Sequence, residues 1–267
     1  MFDISPIVVV LASILLVLIA PAVIFLFQSS LHETQFDGSF GAFTFQYYVD
    51  LLTSEQFLTN LINATIYAVG SAAVAISIGV LLAWIVERTN TPGGGWVLII
   101  SIISLGIPSV LYTISFLMLL GKVGPANEIL MWITGAEDPL LNVYSLWGMI
   151  IIEGIEFAPL SYLLLSSVFR SNDASFEEAS MMSGAGILQT FRNITLRLAQ
   201  PAILALLILI FIRAFESFET PALVGLPGNV SVITTDIYES IDEVPANYGQ
   251  AGAFSVVLLF IVGGVLV

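Results

Sequence analysis

Cysteine is absent from this chain, histidine occurs once, and lysine and arginine together number six. The first absence removes disulfides, thiolate nucleophiles and cysteine-based metal sites. The second removes histidine clusters, and the lone His32 reads as a solvated loop residue rather than the base of a Ser-His-Asp arrangement. Six basic residues against twenty acidic ones give a net charge of −14, which excludes a nucleic-acid binder that neutralises phosphates. There is also no GxxxxGK[ST] loop to cradle a nucleotide and no Ser-Lys pair. We therefore assign no catalytic residue, no metal and no cofactor, and expect the chain not to be an enzyme. Charged residues make up 10% of the 267 positions and hydrophobic ones 58%. Soluble domains carry about 25% charged residues, so this composition is that of an integral membrane protein.

A membrane-crossing helix needs about 20 predominantly apolar residues. Six segments meet or approach that length, at about 6–27, 58–86, 96–120, 144–169, 201–221 and 251–267. They predict an all-α fold with about six transmembrane helices in one domain covering 1–267. The first segment opens with Asp3 and lacks a basic flank, so it reads as a retained span rather than a cleaved signal peptide. Gly106-Ile107-Pro108 lies inside the third, where proline bends a helix and frees backbone carbonyls. Gly124–Gly135 reads as a short amphipathic helix along the outer surface.

The few basic residues orient the chain, because Lys and Arg concentrate in cytoplasmic loops. Arg88 lies in the 87–95 loop, and Arg170, Arg192 and Arg197 lie in the 170–200 loop. Residues 28–57 and 222–250 contain neither Lys nor Arg. Both termini are then cytoplasmic, and only Lys122 falls on the outer side. Eleven carboxylates gather on that side: Glu33, Asp37, Asp50, Glu55, Glu128, Glu137, Asp138, Asp236, Glu239, Asp242 and Glu243. Such a surface suits a cation-rich exterior.

Between the fourth and fifth segments lies EEASMMSGAGILQTFRNITLRLAQP, Glu177–Pro201, the longest polar stretch flanked by spans on the cytoplasmic side. Ser175-Phe176-Glu177-Glu178 fits a capping box, with Ser175 at the N-cap and Glu178 reaching back. Gly184-Ala185-Gly186 is a natural end for that helix. A connector alone would be shorter, since helix-to-helix connections usually run about 2–8 residues. The stretch reads as a docking element: a short helix, acidic at its start and small-faced further along.

These residues resemble the cytoplasmic signature of binding-protein-dependent ABC importer permeases, the EAA loop: Glu-Ala-Ala, three residues, Gly, nine residues, then Ile-x-Leu-Pro. Here Glu178-Ala179-Ser180 is followed at the same spacing by Gly184 and by Ile194-Thr195-Leu196-Arg197. Ser180 stands where the signature has alanine and Arg197 where it has proline. The resemblance implies a short coupling helix between spans four and five. It also implies docking of a cytoplasmic ABC ATPase dimer by Glu177, Glu178, Ala179, Ser180 and Gly184, with ATP hydrolysed in that partner. It further implies an extracytoplasmic substrate-binding protein, and a second permease half supplied by a homodimer, a paired chain or a fused half. The setting implied is the inner membrane of a prokaryote. The unflanked end LLFIVGGVLV reads as a fragment or the first half of a longer permease. Residues 215–228, FESFETPALVGLPG, with Thr234-Thr235-Asp236-Ile237-Tyr238, are similar to the ferric-iron branch. Iron is the cargo that likeness implies, with thiamine, polyamine, sulfate and phosphonate permeases as relatives.

Charges within spans cost about 2.5–3.5 kcal/mol each and usually face a bundle interior or water. Glu153 and Glu156 lie three apart in the fourth segment, and Arg213, Glu216 and Glu219 follow the same step in and beyond the fifth. At 1.5 Å per residue, Arg213 lies roughly 18 Å from Pro201 and Glu156 roughly 20 Å from Phe169. Matching depths predict a Glu156–Arg213 ion pair, with Glu153, Glu216 and Glu219 lining a hydrated translocation path. A secondary transporter or channel that couples ions through these carboxylates is the alternative function, and it leaves the loop spacing unexplained.

Overall fold

The computed structural model describes residues 6–35 and 38–266; Asp3, Asp37 and Val267 lie outside the described residues. In chain order the elements are α1 (Pro6–Ser30), the strands β1 (His32–Thr34) and β2 (Phe40–Phe43), α2 (Gln46–Thr53) and α3 (Glu55–Arg88). Next come α4 (Gly94–Ser104), α5 (Ser109–Leu120), α6 (Pro125–Thr134), α7 (Leu146–Ser171), α8 (Ser175–Met182) and α9 (Ile187–Thr190). A π-turn at Phe191–Thr195 leads into α10 (Leu196–Phe215), and α11 (Ile233–Asp242) and α12 (Tyr248–Leu266) close the chain. The protein is an all-α membrane protein. Five stretches are long and apolar enough to cross a bilayer: Ile7–Ser30, Glu55–Arg88, Ser109–Thr134, Leu146–Ser171 and Ile187–Phe215. α4 and the Tyr248–Gly264 part of α12 are shorter apolar helices.

Segment 96–120 is not one bent helix but two. Pro108 has no N–H to donate and disfavours helical geometry at the residue before it. α4 therefore ends at Ser104 and α5 starts at Ser109. The freed groups are recovered locally: Gly106 N–H donates to Ile103 O at 3.0 Å and Ile107 N–H to Ser104 O at 3.1 Å. Similarly, α10 stops at Phe215, short of the predicted end at 221, and Pro221 instead opens a π-turn over Pro221–Gly225.

The chain divides into two compact units, residues 1–61 with 232–267, and residues 62–231. In the first, α1 is apolar all round and its most apolar window has no buried residue, the character of a helix solvated by lipid. α12 packs on its C-terminal end, where a Cβ on Gly252 would lie 2.6 Å from Ser29 Oγ and 2.9 Å from Ser30 N. Tyr48 donates to Ser30 Oγ at 2.7 Å, and Gly249 N–H to Thr34 Oγ1 at 2.8 Å. A cavity of about 380 Å³ is bordered by Tyr47, Asp50, Asp236, Glu239, Glu243 and Asn247 among others. Asp236 is buried in its wall, and Asn60 Nδ2 donates to both its oxygens at 2.8 and 2.9 Å.

Burial pushes the Asp236 carboxyl up to about 6; the Asn60 hydrogen bonds oppose this and the Glu239 charge adds to it. A folded-state value raised above the usual one of about 3.9 means that the folded chain holds the extra proton between those values. Stability should therefore rise as pH falls from about 7 to about 4. With screening from the open side of the cavity, the gain should be about 1–2 kcal/mol. Asp236→Asn should flatten this part of the profile. Thermal midpoints of both proteins across that range check it, and parallel profiles would refute it.

In the second unit, Ala72, Ala75, Ile76, Val80 and Ala83 of α3 meet Tyr162, Leu165 and Phe169 of α7 and Ala199, Leu206 and Ile210 of α10. Small residues let the backbones close in, which is how helices gain packing energy in a bilayer. A Cβ at Gly79 would lie 2.4 Å from Ser161 Cβ, and one at Gly154 would lie 2.6 Å from Val74 side-chain atoms. The ends of α3 and α7 are tied as well. Glu87 accepts from Ser166 Oγ at 2.5 Å and from Arg170 Nη2 at 2.8 Å.

Candidate functional site

The predicted docking helix forms, with a different start. α8 begins after Ala174, which provides no side-chain cap. Ser175 lies inside the helix, so the Ser175–Glu178 capping box is not made. The turn is held instead by Asp173, whose Oδ1 accepts from Ser175 N–H at 2.9 Å. That backbone bond, with help from the Ser175 side chain, lowers the Asp173 carboxyl below its usual range. At the other end Gly184 adopts φ +90°, a left-handed geometry that costs a residue with a side chain roughly 1 kcal/mol. Its N–H donates to Met181 O at 3.0 Å and that of Ala185 to Ser180 O at 3.2 Å, closing the helix.

The predicted docking residues divide by face. Glu178, Ala179 and Gly184 are exposed, with Met181 and Met182 beside them, and Ser180 is half-buried. Ser180 Oγ and Thr190 Oγ1 lie 3.0 Å apart, joining α8 to α9. Glu177 points the other way and is the only buried residue of α8. Its Oε2 lies 2.9 Å from Arg88 Nε, and its Oε1 accepts from Thr195 Oγ1 at 2.8 Å. The Arg88 Nε–H is not aligned along that line, so the contact is an ion pair rather than a directed hydrogen bond. Arg88 Nη2 also donates to Asn172 O at 3.0 Å, at the end of α7. Next to this, the rings of Trp84 and Phe191 are 4.8 Å apart. Arg197, exposed in the first turn of α10, borders with Arg192, Gln189 and Asn193 a cavity of about 680 Å³.

The intramembrane charges are arranged differently from the prediction. Glu156 accepts a hydrogen bond from Ser109 Oγ, and no ion pair joins it to Arg213. Each charge instead meets a helix end of the right sign. Ser109 opens α5, whose N-terminus favours a carboxylate, and Arg213 lies in the last turn of α10, where a cation is favoured. Glu153 is buried on α7 among the hydroxyls of Tyr67, Ser217 and Thr220, and Thr220 Oγ1 lies 3.0 Å from Thr113 Oγ1. Glu216 is exposed at the end of α10, and Glu219 is half-buried beyond it. Glu153 thus lies in a buried polar nest, whereas Glu216 is exposed.

Residues 75–267 match the family described as binding-protein-dependent transport system inner membrane component. The chain is 28% identical over 213 residues to a ferric transport system permease protein of Actinobacillus pleuropneumoniae, covering 80% of this chain and 29% of that protein. It therefore spans less than a third of the length of that relative. It is 26% identical over 204 residues to the sulfate transport system permease protein CysW of Escherichia coli K12, covering 75% of this chain and 68% of that one. The backbone matches a chain of a bacterial alginate ABC transporter, crystallised with its alginate pentasaccharide-bound periplasmic protein, at a TM-score of 0.74 and 24% identity. That match covers 96% of this chain and 91% of the other. At that identity the likeness is one of fold.

Proposed function

The chain belongs to the family of binding-protein-dependent transport system inner membrane components, and from that premise we propose that it is the permease subunit of an ATP-driven importer. In this reading the 170–200 loop and both termini face the cytoplasm, and α8 docks on a cytoplasmic ATPase that hydrolyses the nucleotide. An extracytoplasmic binding protein delivers the cargo, and a second permease half completes the path. The two faces of α8 carry the reading. Glu177 fastens the helix to the membrane-spanning bundle, while Glu178, Ala179 and Gly184 present a small, acidic, uncovered surface. Small side chains admit a close partner surface, and the carboxylate of Glu178 selects a basic one.

We place ferric ion first among cargoes. The likeness of residues 215–238 to the ferric branch supports it. The sulfate relative keeps an oxyanion as the competing cargo. Glu153, Glu156, Arg213, Glu216 and Glu219 are the path residues of this proposal. Carboxylates are hard oxygen ligands suited to the passage of a cation.

The test is retention of the ATPase on an affinity-tagged chain. Glu178→Arg should cut retained ATPase at least about tenfold, equivalent to about 1.4 kcal/mol. Glu128→Arg, on α6, should leave it unchanged. Equal retention by both variants would overturn the docking assignment.

A further inference from the structure

α8 has no apolar side chain buried beneath it; its one buried residue is the charged Glu177. Whatever moves α8 therefore pulls on the bundle chiefly through that carboxylate, supplemented by the chain at either end and the Ser180–Thr190 contact. The partner at the far end of the pull is Arg88, the last residue of the 34-residue α3. We infer that the Arg88–Glu177 pair is the strut that transmits displacement of α8 into α3, making both residues positioning elements for transport rather than docking elements. The inference rests on the docking function proposed above.

The geometry suits a strut in three ways. The side chains are only 12% and 11% exposed, so water does little to screen the attraction. Arg88 lies at the C-terminus of α3 and Glu177 in the first turn of α8, so both helix dipoles favour the charges as placed. The pair is also braced on each side: Arg88 Nη2 holds Asn172 O at the end of α7, and Glu177 Oε1 holds Thr195 ahead of α10. One guanidinium and one carboxylate thus join α3, α7, α8 and the entry to α10.

The natural chain has no cysteine, so a single thiol can report motion of α3 without knowledge of the cargo. Ile85→Cys places it one turn before Arg88 at a partly exposed position. In the complex with the ATPase in lipid nanodiscs, its maleimide labelling rate is compared without nucleotide and with ATP plus vanadate. The unsubstituted strut should give a change of at least about fivefold, the scale of a coupling of this kind. Arg88→Gln and Glu177→Gln should each remove most of that change while retaining the ATPase, and the exchange Arg88→Glu with Glu177→Arg should restore at least half of it. Full change in the neutral variants, no recovery in the exchange, or no nucleotide-dependent change at Ile85 to begin with would each overturn the strut. Failure of the unsubstituted chain to retain any ATPase would instead overturn the docking reading, and the strut with it.

Discussion

Gly79→Leu should prevent recovery of a folded chain. The Cβ alone would lie 2.4 Å from Ser161 Cβ and 2.8 Å from both Ser161 C and Tyr162 N. Two of those atoms are backbone, so no rotamer change on α7 relieves the clash, and α3 and α7 must move apart. Separation loosens the contacts of Ala75, Ala83, Leu165 and Phe169, which are all fully or almost fully buried. Overpacking usually costs about 1–3 kcal/mol, occasionally more, and here the added atoms enter a backbone-to-backbone contact. A loss above about 3 kcal/mol is a large part of the usual 5–15 kcal/mol of stability. Gly95→Leu is the control, since nothing lies within 4 Å of a Cβ at that position. Detergent-extracted yield and the thermal midpoint decide the matter. A Gly79→Leu protein that elutes monodisperse with an unchanged midpoint would refute the close approach of α3 and α7.

That contact illustrates which parts of the fold could be read in advance. Long apolar runs locate helices because lipid leaves a backbone no other way to satisfy its hydrogen bonds, and α1, α3, α7 and α10 were legible on that ground. Their mutual placement was not, because apolar residues cover lipid-facing and core-facing sides alike. Gly79 and Gly154 mark the true interface, yet nothing in their local sequence separates them from the unpacked Gly95. The break before α5 was half visible. Pro108 signalled disturbance, but whether the helix bends or stops depends on local turns available at Gly106 and Ile107. The β1–β2 hairpin, which pairs His32 with Phe43 and Thr34 with Phe40, left no alternation to detect in strands of three and four residues.

The candidate site followed the same division. Spacing found the docking helix, but it could not tell which of the adjacent Glu177 and Glu178 turns inward. Neighbouring residues point about 100° apart on a helix, and which of the two acids faces the bundle is set by Arg88 and Thr195, both distant in sequence. The Arg88–Glu177 pair spans most of a hundred positions and has no local signature. In the sequence Arg88 marks only the orientation of the chain. The predicted Glu156–Arg213 pair was inferred from depth, and depth leaves the azimuth of each helix undetermined. The N-terminus that Glu156 meets exists only because Pro108 ends the preceding helix.

Asn127→Leu should destabilise the chain by roughly 2 kcal/mol, although it replaces a polar residue with an apolar one in a membrane protein. On α6 the apolar Ile129, Trp132 and Ile133 are exposed, at 57%, 85% and 65%, and the fully buried residue is Asn127. Apolar side chains of α6 are thus offered to the bilayer interface, where Trp is favoured, while Asn127 is buried against protein beside the half-buried Leu130 and Met131. Asn127 Nδ2 donates to Gly121 O at 2.9 Å and Leu141 O at 3.0 Å, and its Oδ1 accepts from Leu141 N–H at 2.8 Å. One carboxamide therefore satisfies the end of α5 and the loop returning to α7. Leucine would fill the space but leave the part-buried Leu141 N–H and C=O without this partner, at about 1 kcal/mol each, the low end of the usual range; Gly121 O keeps its bond from Gly124 N–H at 2.9 Å. Asn127→Asp separates packing from hydrogen bonding, because it keeps the size and the Leu141 N–H bond but turns an acceptor toward two carbonyls. Both variants should unfold at lower temperature and be nicked faster by protease within 135–145. If Asn127→Asp behaves like the natural chain, the carboxamide is not what holds that loop.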